Sequence, residues 1–256
     1  MIDPRAIIAP DAVLGEGVQI GAYTIIGAGV RIGAGSWIGP HAVINGPTTL
    51  GCENKVFQFA SIGDAPQDKK YRGEPTRLEV GDRNVFREFC SVNRGTVAGR
   101  GVTKIGDENL FMAYSHVAHD CIVGSNCVMS NCTALAGHVE LGDWVILSGY
   151  AGIHQFCKVG AHSFLANNAA ITRDVPPYLL VAGTPAEPKG VNSEGLKRRG
   201  FSPEQIANIR NAYRLLYRSG LKLAAATGQL QALAADQPEL LPFVQFLAAS
   251  ERSIVR

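Results

Sequence analysis

Large apolar residues recur at every sixth position from the start of the chain: Ile8, Leu14, Ile20, Ile26, Ile32, Ile38, Ile44, Leu50, Val56 and Ile62. After an interruption the comb resumes in phase at Val80, Phe86 and Val92. It breaks again, returns one residue out of phase at Ile105, and runs in sixes to Ile171. All 25 in-phase positions are Leu, Ile, Val, Met or Phe, which random placement does not produce. Six is not a multiple of 3.6, so no helix presents this pattern; a short strand followed by a tight turn does. The residue two before each tooth shares its face in a strand. Those residues read Val18, Thr24, Val30, Ser36, Ala42 and Thr48, and later Cys121, Cys127, Thr133, Val139, Val145, Ala151 and Cys157. They are small, as a narrow interior requires. The pattern predicts a mainly β protein, a parallel β-helix of hexapeptide repeats with three hexads to a coil, so that residues 18 apart stack at a strand spacing of about 4.8 Å. Glycines following the teeth, such as Gly15, Gly21 and Gly27, are expected to supply the backbone freedom of the corners.

The pattern changes near residue 175. Pro176, Pro177, Pro185 and Pro188 mark an irregular connection. Beyond it the spacing is helical. Ser202-Pro203-Glu204-Gln205 offers an N-cap, a proline at N1 and a capping-box glutamine. Ile206, Ile209, Tyr213, Leu216 and Tyr217 follow as an apolar stripe, with Gly220 as a stop. Further helices are expected over about 221–235 and 239–250. The domain reading is a β-helix over 1–189 and a C-terminal α-helical subdomain over 190–256.

Composition narrows the function classes. Charged residues make up 18% of the chain against about 25% in globular proteins, and the net charge is +2, so wrapping of nucleic acid is not expected. No apolar run reaches the roughly 18–20 residues of a membrane span. The N-terminus has no basic stretch leading into an apolar block, so no secretory leader is expected and a cytoplasmic protein is the default. The basic excess is C-terminal: residues 190–256 carry a net +4, densest at Lys197-Arg198-Arg199. Cys90, Cys121, Cys127 and Cys157 fall on the small inward position and read as buried hydrophobes; no CxxC zinc pair is present, and a reduced compartment fits.

The departures from the repeat carry the candidate chemistry. Two polar insertions, about 64–78 and 94–104, leave the solenoid, and loops on a rigid scaffold are usual places for function. Four of six histidines lie between 116 and 154: His116, His119, His138 and His154. His119 and His138 are 19 apart, hence on neighbouring coils. Three of them could make a three-His zinc site, as in prism-shaped proteins with carbonic anhydrase activity, but their spacing differs from HxxHD and Asp120 directly follows His119. Proton transfer is the stronger reading. A neutral histidine can take a proton from a hydroxyl near neutral pH, an adjacent carboxylate favours the imidazolium, and a basic cluster can hold a phosphorylated or acidic partner. Together these suit group transfer onto a hydroxyl.

Taken with QFASIG (58–63), QDKKYRGEPT (67–76), NRGT (93–96), HVAHDC (116–121), AGHV (136–139), HQFCKVGAH (154–162), DVPPY (174–178) and VNSEGLKRRGF (191–201), the chain resembles the acyl-[acyl-carrier-protein]–UDP-N-acetylglucosamine O-acyltransferases, the family that begins lipid A synthesis. The resemblance runs the whole length. It implies a left-handed coil, a homotrimer with active sites between neighbouring prisms, and direct transfer of an (R)-3-hydroxyacyl chain from acyl carrier protein to the 3-hydroxyl of UDP-N-acetylglucosamine, with no metal or cofactor and no acyl-enzyme. His119 is then the general base, Asp120 its support, and the Gly137 N–H the oxyanion donor. Gln67, Asp68, His116, His138, His154, Gln155, Asn192, Glu194, Arg198 and Arg199 match substrate-binding positions, and Lys70 with the C-terminal basic face matches the contacts for the carrier protein.

Two positions depart from the family pattern. Asn93, counted with the substrate-binding positions, stands where well-known members have histidine, which leaves open one sugar contact and whether the acceptor is the 3-hydroxyl or a 3-amino sugar. Asn167 stands where some members have glycine and long chains pass, so a chain nearer ten carbons than fourteen is expected. Other readings are the paralogous N-acyltransferase, whose extra N-terminal domain has no room before Ile8, a small acetyl-CoA-dependent sugar acetyltransferase, and a non-catalytic scaffold.

Overall fold

The computed structural model describes residues 1–256. Strands mostly two residues long stack into three parallel sheets of nine, eight and ten strands. Each coil visits them in turn: Ile7–Ile8 on face I, Val13–Leu14 on face II, Gln19–Ile20 on face III, then Ile25–Ile26 back on face I. The register is the expected 18 residues, Ile7 with Ile25 and Ile25 with Val43. At the insertions it lengthens to 30, Ile62 with Val92, and then to 25, Val80 with Ile105. The second value exceeds one coil by seven, which is why the comb returns one residue out of phase. The flanking strands Ser61–Asp64, Arg77–Val80 and Val102–Ile105 extend into the expected loops, trimming them to 65–76 and 94–101.

Every tooth from Ile20 to Ile171 is buried, and so are the small residues two before them. The apolar ones among them belong to one core of 53 residues that continues into the C-terminal helices. Where the inward position is polar, coils bond one another. The Asn54 carbonyl oxygen accepts from the Asn84 backbone N–H at 2.9 Å, the Asn84 oxygen from the Asn109 N–H at 3.0 Å, and the Asn109 oxygen from the Cys127 N–H at 2.7 Å. Buried amides are thereby satisfied along the axis.

The glycines after the teeth have a different cause from the one expected. Gly15 and Gly21 do not adopt positive φ; a Cβ on them would lie 2.6 Å and 2.5 Å from the backbone of the next coil. Close stacking, not corner freedom, selects glycine there. The left-handed residue comes three after most teeth; glycine fills it at Gly17, Gly29 and Gly35, but elsewhere non-glycine residues do, and Tyr23, His41, Phe59, Asp120, His138 and Phe156 all have φ near +60°. Such a conformation costs an L-residue roughly 1–2 kcal/mol, and the stacked coils enforce it.

The sheet also runs past the expected boundary at 189. Leu179–Ala182 extends face III, and Glu187–Val191 pairs with it antiparallel, so the helical part begins at α1, Ser193–Arg198. Sequence reading missed α1, which holds a glycine and one buried residue. α2, Pro203–Tyr217, has the expected capping box from Ser202 and Gln205. α3 (Leu223–Leu233), a 3₁₀ turn at Pro238–Leu240 and α4 (Leu241–Ala249) follow. The end of the chain returns to the prism: Asp174 accepts from Ser250 Oγ at 2.7 Å and from the Val255 N–H at 2.9 Å. No helix is long and apolar enough to cross a membrane.

Candidate active site

One edge of the prism, where face I turns into face II, carries both insertions and the histidine group. Loops 65–76 and 94–101 leave this edge on successive coils, and its next three corners hold His119-Asp120, Gly137-His138 and His154-Gln155-Phe156. The first loop is tied down by residues at the start of the second. Asn93 Nδ2 donates to the Ala65 carbonyl at 3.0 Å, and the Arg94 guanidinium donates to the Gly63 carbonyl at 2.6 Å and to the Tyr71 hydroxyl at 3.1 Å. Asn93 is buried. Its Nδ2 ties the loop from behind, while its Oδ1 has no partner in the chain.

Asp120 is fully buried. Its Oδ2 accepts from His119 Nδ1 at 2.9 Å and from Thr96 Oγ1 at 2.6 Å, and its Oδ1 from the Arg100 N–H at 2.8 Å. Burial alone would raise this carboxyl. The hydrogen bonds from His119, Thr96 and Arg100 outweigh it and hold the pKa at about 2. An ionised Asp120 makes His119 Nδ1 the protonated nitrogen and leaves Nε2 with its lone pair. His138 lies edge-on to His119 with ring centroids 5.2 Å apart, and stacks on Phe156 at 4.4 Å. Burial lowers its pKa and that of His116. His116 Nδ1 lies 2.7 Å from Ser91 Oγ, while His154 is exposed. Gly137 sits under the His119 imidazole, and its N–H donates to no group in the chain.

His119, Asp120 and His138 bring three ligand atoms within 4.8 Å of one another. Both Asp120 oxygens already accept hydrogen bonds from neutral donors, so a cation there would displace them; the donor set suits a proton-transfer pair better than a metal.

Two cavities meet at His119. A polar one of about 650 Å³ is lined by Gln67, Asp68, Lys69, Lys70, His138 and Gln155 among others. An apolar one of about 630 Å³ lies along face I over Ala118, Ala134, Gly152, Ala170 and Ile171. Gln67 and His119 line both. His116 and His154 line the apolar one. Sequence reading did not single out Lys69, Thr96, Ala98 or Phe156, which also face the polar cavity. Lys69 adjoins Lys70 and could have been found; Thr96 and Ala98 come there only through the path of the second loop.

Four expected residues lie elsewhere in the chain. Asn192, Glu194, Arg198 and Arg199 gather at the edge between faces II and III. There Arg199 sits over Trp144 at 5.1 Å and donates to His162 Nδ1 at 3.2 Å. Asn192 is occupied structurally: its oxygen caps α1 at the Gly195 N–H (3.1 Å) and its Nδ2 donates to the His162 carbonyl at 2.9 Å. Glu194 and Arg198 are exposed. Asn167 is exposed at the third edge, between faces III and I, across face I from His119.

Known proteins share this architecture. Residues 102–137 match the model of the bacterial transferase hexapeptide (six repeats), and residues 174–255 match domain 2 of UDP-N-acetylglucosamine O-acyltransferase. An acyl-[acyl-carrier-protein]–UDP-N-acetylglucosamine O-acyltransferase of Thiobacillus denitrificans is 53% identical over 255 residues, covering 100% of this chain and 99% of the relative. The chain belongs to that acyltransferase family. Its solved structures include LpxA from Acinetobacter baumannii, with 46% identity, a TM-score of 0.97 and coverage of 100% of this chain and 99% of that one. The UDP-N-acetylglucosamine acyltransferase of Francisella novicida has 40% identity, a TM-score of 0.98 and coverage of 100% and 94%. The prism is therefore a left-handed parallel β-helix and the protein an acyltransferase.

Proposed function

We propose that the protein transfers an (R)-3-hydroxyacyl chain from the phosphopantetheine thioester of acyl carrier protein to the 3-hydroxyl of UDP-N-acetylglucosamine. The observation that carries this reading is the position of His119 between a polar cavity fit for a nucleotide sugar and an apolar groove fit for an acyl chain. His119 Nε2 takes the proton of the sugar hydroxyl as its oxygen attacks the thioester carbonyl. The Gly137 N–H receives the oxyanion, a contact worth about 3–4 kcal/mol in other enzymes. The C–O bond forms, the C–S bond breaks, and the imidazolium returns the proton to the departing thiolate. Asp120 stays ionised throughout and stabilises the imidazolium.

No acyl-enzyme is needed. All six cysteines are unpaired, and burial pushes the Cys121 and Cys127 thiols up to about 12 and Cys157 to about 11. The thioester is already activated, so the reaction calls for no cofactor or metal. Lys69 and Lys70 at the cavity mouth and the basic C-terminal face suit an acidic carrier protein.

The assembly proposed is a homotrimer. Arg198, Arg199 and Glu194 stand on a different edge from His119, so a second copy must bring them to the sugar. A contact of one edge with another is heterologous and closes only as a ring. Three copies would turn the third edge toward the axis, and that edge carries an exposed ladder of stacked rings: Tyr23, His41, Phe59, Phe89 and Tyr114, with centroids 4.9–5.5 Å apart. Its surface is apolar enough to favour burial.

Asn167 lies beyond the residues that line the groove, at the far edge of face I, where a side chain would block a long chain and favour one nearer ten carbons than fourteen. The test compares C10, C12 and C14 3-hydroxyacyl carriers with UDP-N-acetylglucosamine and its 3-amino analogue. Product with the hydroxyl sugar and a C10 preference is expected. Product with the amino sugar alone would change the acceptor, a clear C14 preference would remove the role of Asn167, and no product from folded trimer would overturn the reading.

A further inference from the structure

Loop 94–101 is more than an ejected insertion: it is a strap across the carboxylate beside His119. Three of the donors that meet Asp120 come from it. The Thr96 N–H lies 3.1 and 3.0 Å from the two oxygens, the Thr96 hydroxyl 2.6 Å from Oδ2, and the Arg100 N–H 2.8 Å from Oδ1. The Arg100 guanidinium latches the strap, donating to the Asp120 carbonyl at 2.8 Å and to the Glu140 carboxylate. Gly99 lets it lie flat: a Cβ there would stand 2.5 Å from the Asp120 carboxyl and 2.6 Å from His138 Cε1.

A buried carboxylate must be satisfied by donors, and their directions fix its torsion. Oδ2 is shared among the Thr96 N–H, the Thr96 hydroxyl and His119 Nδ1; side-chain substitution removes only the hydroxyl. We propose that Thr96 is a positioning residue for the transfer reaction: its hydroxyl fixes Oδ2 so that the His119 ring points Nε2 into the junction of the two cavities. Other ionisable groups around the pair are His116, His138, Arg100 and Asp68, and the test alters none of them. The inference rests on His119 being the base.

The experiment compares T96V, T96S and H119A in the intact trimer, with kcat and KM measured across pH. T96V removes the hydroxyl and keeps the shape. Its kcat is expected to fall about tenfold with KM for either substrate within about twofold, the loss of one charge-assisted hydrogen bond. The acidic limb of its kcat profile should move to higher pH than in the wild type, because Oδ2 freed of one donor stabilises the imidazolium more. T96S keeps the donor and should return both readings to wild type. Equal losses in T96S and T96V, a loss in KM alone, or a wild-type profile in T96V would overturn the proposal. If T96V does not assemble, T96A removes the same donor without the branched bulk, and the same outcomes decide. An active H119A would overturn the base reading itself; an inactive H119A beside a wild-type T96V would overturn only the role of Thr96.

Discussion

Gly137 lies so close beneath His119 that a Cβ on it would stand 2.7 Å from Cε1 and 2.8 Å from Nε2 of the imidazole. Its φ is not in the left-handed region, so backbone strain is no reason for glycine there. The reason is the approach of the ring. G137A should therefore fold but displace the base, and an ångström of misplacement can cost about 100-fold in rate. Steady-state turnover beside a melting curve checks this; wild-type turnover in G137A would show that the ring does not work from its observed position.

Face I offers an independent check on the acyl groove. Ala134, Gly152 and Ala170 stand side by side in register. A Cβ on Gly152 would meet nothing within 4 Å, so the prism has room for a side chain there and the groove does not. G152V is expected to keep or slightly raise the melting temperature, since valine suits a strand better than glycine. Turnover with C10 and longer carriers should fall at least about tenfold, a loss set by groove binding of a few CH₂ groups at ~0.8 kcal/mol each. Unchanged turnover would take the acyl chain off this face.

His162 predicts a pH dependence of stability. Burial, with the Arg199 cation beside it, holds its pKa down at about 4. The unfolded chain titrates this group near 6.5. Between those values the unfolded state binds a proton that the folded state refuses, so stability falls as pH drops from about 6.5 to about 4 and is undiminished above that window. H162F keeps a ring between Trp144 and Tyr178, which flank His162 at 6.4 and 5.6 Å, and removes the titration. Melting curves from pH 4 to 7.5 should show a shallower acid slope in H162F; parallel slopes would contradict the assignment.

Much of this was legible in the sequence, for physical reasons that differ by region. A strict period of six leaves one architecture, so the faces, the register and the positions of the insertions could be read from Ile8 to Ile171. The corner conformation could not. It falls on Tyr23, Phe59 and Phe156, residues with no turn signature, because stacking imposes it. The ties made by Asn93, Arg94 and Thr96 reach across 23–31 residues between loops, beyond what local pattern shows. His119 and Asp120 stand out because chemistry-bearing residues interrupt the repeat; Gly137 came only from the family resemblance. That Arg199 belongs to another edge follows only once each coil is folded into three faces.

The central claim is that His119, between the two cavities, takes the proton of the acceptor hydroxyl. The most direct measurement is turnover of 3-hydroxydecanoyl carrier protein with UDP-N-acetylglucosamine by H119A, beside nucleotide-sugar binding by the same variant. The account predicts a loss of roughly 10²–10⁴-fold in kcat with sugar affinity within a few-fold of wild type. Turnover by H119A close to that of the wild-type trimer would contradict it.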